Sequence, residues 1–164
     1  MAKIKGVELK KLVKFRGHEG EELYQGDIYL NGKKIGFYGD EDWGGPQSIR
    51  VSVEDEATLD VLGKQFTQYD FISGAEALMS ELVNLHRLEK MFKVVVKKGF
   101  GGFAIVKNWS DKGHAMVDSV YNLKQGLTPS EYLIGLVQYR KTKGIETKVE
   151  DVKIYLSLKD FIIN

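Results

Sequence analysis

The stretch "LYQGDIYL-NG-KKIGFYGD", residues 23–40, alternates apolar and polar positions on both sides of Asn31-Gly32. That pair supplies the two positive-φ positions of a type I′ turn, so the pattern predicts a two-residue β-hairpin. The register follows: Leu30 opposes Lys33, Tyr29 opposes Lys34, Ile28 opposes Ile35, Asp27 opposes Gly36 and Gly26 opposes Phe37. Ile28, Ile35 and Phe37 then share a core side, and Gln25, Asp27, Tyr29, Lys34 and Tyr38 share the other. The segments "LKKLVKFR" before and "SIRVSV" after alternate in the same way, with Ile49, Val51 and Val53 set against Ser48, Arg50 and Ser52. Together they predict a four-stranded antiparallel meander.

Helical spacing takes over from Glu54. Acids crowd a first turn, where the helix dipole favours them, and Leu59, Leu62, Phe66 and Tyr69 follow as a short apolar stripe. Ser73 and Glu76 form a capping box. Behind it Leu78, Leu82, Leu85, Leu88, Phe92 and Val95 line one face of the longest predicted helix, and Gly99 stands where a C′ glycine belongs. The β-branched run Val94-Val95-Val96 suits a helix end poorly, so a hairpin over 92–109 turning at "GFGG" is the alternative to a helix end followed by the strand "FAIVKN". The helix reading is preferred. Thr128 to Glu131 is a second capping box with proline at N1, and Arg140, Lys141 and Lys143 precede Gly144, which marks the other end of that helix. Val152, Ile154, Leu156 and Leu158 alternate as a closing strand. The expected fold is α+β: an N-terminal antiparallel β-meander packed against a long helix, with a C-terminal strand-helix-strand unit, in a single globular domain over residues 1–164.

Composition narrows the function classes. With 164 residues the chain can bury a sizeable core, and 43% hydrophobic with 29% charged residues is ordinary for a globular protein. The absence of cysteine excludes disulfides, thiolate metal sites and a cysteine nucleophile, and fits a reducing compartment. No signal-peptide-like or membrane-spanning apolar run occurs, so a cytoplasmic, non-membrane protein is expected. The net charge of +1 hides a segregation. Lys3, Lys5, Lys10, Lys11, Lys14 and Arg16 accompany only Glu8, whereas residues 40–60 hold seven acids against Arg50.

Candidate chemistry is sparse. "KKGFGGFAIVKNW" resembles the aromatic, basic strand on which RNA-recognition modules stack bases, with Lys97, Lys98, Phe100 and Lys107 as the candidate contacts. Phe100 and Phe103 are three apart rather than two, however, which puts them on opposite faces of a strand unless the glycines bulge. His18, His86 and His114 lack metal-ligand spacing, and no P-loop, dinucleotide fingerprint or nucleophile elbow is present. Neither a cofactor nor a metal is expected. The loop "GDEDWGGPQ" places Trp43 among acids and glycines just after the hairpin, where a tryptophan serves either as a lid on the core or as a contact residue.

Arg16 to Gly20, "RGHEG", followed by "GDIYLNGKKIGFYGDEDWGG", resembles the opening of small uncharacterised proteins encoded by bacterial phages and prophages, which share an "RGHEG", a "DGKKV"-like turn and an acidic "DD..GG". The resemblance covers roughly the first fifty residues. It implies a bacterial host cytoplasm and a viral or mobile-element role, and no catalytic residues.

The expected function is therefore a non-enzymatic binding protein that engages a host bacterial protein, or a small anionic ligand such as a signalling nucleotide, to antagonise host defence. The contact residues expected are His18, Asp27, Tyr29, Lys34, Tyr38 and Trp43. A nucleic-acid-binding module built on the Lys90 to Lys107 region is the alternative, and a metal-dependent hydrolase using His18 is a further one.

Overall fold

The computed structural model describes residues 1–41, 47–67, 69–108 and 119–164, which form two compact units. The first comprises Met1–Glu89 with Phe161–Asn164, and the second Lys90–Asp160. The fold is α+β.

The first unit holds a six-stranded sheet. Its strands are β1 (Lys3–Ile4), β2 (Val7–Arg16), β3 (Glu22–Leu30), β4 (Lys33–Gly39) and β5 (Ser48–Arg50), with β9 (Ile162–Ile163) at one edge, in the order β5-β4-β3-β2-β1-β9. The predicted meander is its antiparallel part, and β9 pairs with β1 in parallel. At the hairpin tip Asn31 and Gly32 adopt φ of 49° and 83°, the left-handed values a I′ turn demands. The last strand is shorter than expected. Ser52 leaves the ladder to cap helix α1 (Val53–Gly63), accepting a 3.1 Å hydrogen bond from the Asp55 N–H. That helix ends before Phe66 and Tyr69, so the stripe expected to include them is cut at Gly63. The reason is a backbone crossing: a Cβ on Gly63 would lie 1.7 Å from the Gly74 carbonyl oxygen, so only glycine lets the two segments approach.

Helix α2 (Gly74–Lys97) begins at the predicted box, Ser73 and Glu76 exchanging backbone-to-side-chain hydrogen bonds of 3.1 Å. In the first unit, Arg87 lies 4.0 Å from Glu22, and the Ser80 hydroxyl accepts a 2.9 Å bond from the Gln47 amide, which ties the helix to the meander. Its predicted stripe is buried except for half-exposed Leu88. Gly99 closes the helix at C′, with its N–H on Val96 and the Phe100 N–H on Val95. The helix end, rather than a hairpin, is thus the form of residues 92–102.

The second unit is built on a three-stranded antiparallel sheet, β7 (Ser119–Leu123), β6 (Gly102–Val106) and β8 (Val152–Tyr155), with β6 in the middle. Helix α3 (Pro129–Thr142) joins β7 to β8, giving the expected strand-helix-strand order. Ala104, Val106, Leu123, Tyr132 and Leu136 form its core, and Phe103, with no exposed surface, stacks on Tyr155 at 4.8 Å between ring centroids.

Candidate functional site

The predicted hairpin register holds only at its tip. Leu30 opposes Lys33 and Tyr29 opposes Lys34, but Ile35 is then an extra residue, so Ile28 opposes Gly36, Asp27 opposes Phe37 and Gly26 opposes Tyr38. A β-bulge of this kind reverses the facing of every later side chain in the strand. Tyr38 therefore lies on the core side, 1% exposed, and not on the outer face with Tyr29; Phe37 takes the side of Asp27. Burial is the physical cause of the exchange: the tyrosine ring enters the core while its hydroxyl donates to the Asp40 carboxylate, which also accepts the Tyr24 N–H at 2.8 Å. Burial and that carboxylate push the Tyr38 phenol far above its usual range.

Asp27, Tyr29 and Lys34 do come together. Asp27, 8% exposed, receives Lys34 Nζ at 2.6 Å on one oxygen and Lys11 Nζ at 3.5 Å on the other. A second bulge, between Lys10 and Val13, places Lys11 at φ 52° beside the carboxylate, and Lys10 Nζ lies 4.3 Å over the Tyr29 ring. The hydrogen bond from Lys34 holds the Asp27 carboxyl below its usual range, and the carboxylate in turn raises the Lys34 ammonium. Such a carboxylate is charge-compensated, and chemically it is a clamp across three strands. Part of the basic pole is paired as well, Lys3 and Lys10 lying 3.6 and 3.9 Å from Glu8 and Lys14 2.7 Å from Glu22.

The other predicted contacts are scattered. His18 stands in the exposed turn between β2 and β3, and Trp43 lies outside the described residues, as does His114. Lys97 and Lys98 are exposed where α2 closes, and Phe100 is half-buried. Phe103, which a base-stacking strand needs at the surface, is in the core.

Lys107 belongs to a feature that the sequence reading missed. On α3 the positions Tyr132, Leu136 and Arg140, each four residues from the next, are the buried ones. An arginine occupies the place where the stripe calls for an apolar residue, a signal that reading Arg140 only as part of the basic run before Gly144 passes over. Its guanidinium, in a residue 3% exposed, donates from Nε to Thr147 at 2.6 Å, from one terminal nitrogen to the Tyr121 hydroxyl at 2.8 Å and from the other to Asn108 Oδ1 at 2.7 Å. All three acceptors are neutral. Among the described residues no carboxylate pairs with Arg140. A guanidinium has five N–H donors, so two, one on each terminal nitrogen, have no partner among the described residues.

Arg140 lines a cleft of about 600 Å³ with Lys107, Asn108, Lys148, Glu150 and Asp151. Lys107 and Lys148 are exposed at its rim, and Arg140 is at its floor. A buried cation without a counter-charge is costly, and an oxyanion is the kind of group that would balance it. Among the described residues no group of three or more His, Asp or Glu side chains is placed to hold a metal ion, and no helix is long and apolar enough to cross a membrane. No family model, no curated protein and no solved structure matches the chain.

Proposed function

We propose that the protein acts by binding, and that its ligand is a small molecule carrying a phosphate or carboxylate held in the Arg140 cleft. The observation that carries the reading is the buried guanidinium of Arg140, which is oriented by Tyr121, Asn108 and Thr147 and uncompensated by any described carboxylate. Three neutral acceptors fix the plane of the group without cancelling its charge, which is the preorganisation an anion site needs. The N-terminal resemblance supports a setting in which a phage or prophage product sequesters an anionic signalling molecule of a bacterial host.

The test is thermal unfolding in a buffer of low anion content, with inorganic phosphate, nucleoside mono- and diphosphates and dicarboxylates added in turn at matched ionic strength. A ligand at 100 times its Kd stabilises the folded state by about 2.7 kcal/mol, and Arg140→Gln is expected to abolish that gain, whereas Asp27→Asn, in the other unit, leaves it intact. The reading fails if no oxyanion stabilises the protein beyond chloride, or if Arg140→Gln responds as the parent does.

A further inference from the structure

In the second unit the closing turn of α2, the β7–α3 connection and the segment after β8 enclose a hollow of about 330 Å³. Its walls are Phe92, Val96, Phe100, Leu127, Tyr132 and Leu156. Two of these are unusually open for apolar side chains in a concave place, Val96 being 41% and Leu127 48% exposed. The hollow is framed rigidly. The Gly101 N–H donates to the Leu123 carbonyl at 2.8 Å, joining one wall to the other, and the capping box of α3 holds the start of that helix.

The charge around it is of one mobile sign. Lys97 and Lys98 precede Phe100 in the chain, Lys124 precedes Gln125 and Gly126 of the lining, and all three lysines are exposed. None of them forms an ion pair among the described residues. The neighbouring acids are committed to backbone: Glu131 accepts the Thr128 N–H at 2.7 Å, and Asp160 accepts those of Leu156 and Ser157 at 2.7 and 2.8 Å. Thr128 holds the Glu131 carboxyl below its usual range, so this acid stays bound to its cap.

We propose that this hollow docks an acidic segment of a partner protein, one large apolar side chain of the segment entering between Phe100 and Leu127 while its carboxylates meet Lys97, Lys98 and Lys124. The combination follows the usual anatomy of a small recognition site, an apolar anchor in a pocket with a polar rim that sets orientation and on-rate. The same three residues, Lys97, Lys98 and Phe100, are those that a base-stacking strand would use, but the geometry favours a peptide. Stacking of successive bases needs a platform of exposed rings, whereas Phe103 faces the core and Phe100 forms one side of a concavity.

A short fluorescein-labelled peptide of alternating aspartate and serine around one central phenylalanine serves as the probe, read by fluorescence anisotropy and by amide chemical shifts of the isotope-labelled protein. Binding is expected to move the Gly101 and Gly126 resonances and to weaken about tenfold or more when the phenylalanine of the peptide is replaced by glycine, the loss typical of an anchor residue. Leu127→Asp, at an exposed position, is expected to remove binding without unfolding the protein, and the triple variant Lys97→Glu, Lys98→Glu, Lys124→Glu to reverse preference toward a lysine-containing peptide. Equal retention of the glycine peptide overturns the proposal, as do shifts confined to other residues. Tighter binding of single-stranded oligouridylate than of the peptide overturns it in favour of nucleic acid. Because Arg140 is not part of the hollow, Arg140→Gln must bind the peptide as the parent does.

Discussion

Asp27 in the first unit and Arg140 in the second are both buried charged side chains, and the fold treats them in opposite ways. Asp27 meets two ammonium groups, from Lys34 and Lys11, so its charge is balanced by the strands on either side. Arg140 meets a phenol, an amide and a threonine hydroxyl, all neutral, so its plane is fixed while no described carboxylate balances its charge. The first arrangement consumes its own binding capacity and joins strands. Among the described residues the second retains two donors and a positive charge in a cleft, and that retained capacity is what separates a candidate binding site from a structural ion cluster.

The largest expected effect concerns the packing of the hairpin that carries Asp27. Tyr38→Ala removes a ring enclosed by the core and is expected to cost about 3 to 5 kcal/mol in urea unfolding, as truncation of buried aromatics generally does. Tyr29→Ala, on the other face of the same hairpin, is expected to leave the midpoint almost unchanged. Equal effects would mean that the bulge at Ile35 does not set the facing of the strand.

Arg140→Met sharpens the comparison more directly. In anion-free buffer its cost is expected to stay near or below about 1 kcal/mol, since relief of an uncompensated buried charge offsets the lost hydrogen bonds. A loss of about 3 kcal/mol or more would be the signature of a broken buried ion pair. The guanidinium would then be compensated like Asp27, and the contrast would collapse.

The smallest effect is a pH dependence at Asp27. Hydrogen bonding from Lys34, opposed by desolvation, lowers its folded pKa below the ordinary 3.8. Its contribution is therefore fully present above that ordinary value and lost as the pH falls through the lower folded one. Asp27→Asn is expected to lower stability modestly at neutral pH, where the contribution is present, and to converge on the parent in strong acid, which flattens this part of the profile. Carboxyl carbon shifts followed by NMR during acid titration give the folded pKa of Asp27 directly; a value at or above 3.8 would contradict the clamp.

Much of the secondary structure could be read from residues a few positions apart. The Asn31-Gly32 turn, the Ser73 and Thr128 capping boxes and the Gly99 helix end depend on donors and acceptors within one turn of chain, so little loop-closure entropy opposes them and the residues involved are adjacent in the sequence. Local chemistry could not mark the extra residue at Ile35, because an apolar side chain fits either face and the choice rests on the core accepting Tyr38. Nor could it show the Arg140 site, whose partners lie 7, 19 and 32 residues away and meet only when β6, β7 and α3 are assembled. By itself the sequence determined the Asn31-Gly32 turn, the helix caps and the succession of meander, long helix and strand-helix-strand, where interaction partners are neighbours. Tertiary structure alone decided which face each later residue of the hairpin presents, that β9 returns to pair with β1, and that a cation on the apolar stripe of α3 is buried against neutral acceptors. Those outcomes depend on packing between segments distant in the chain, and a pattern of neighbours does not encode them.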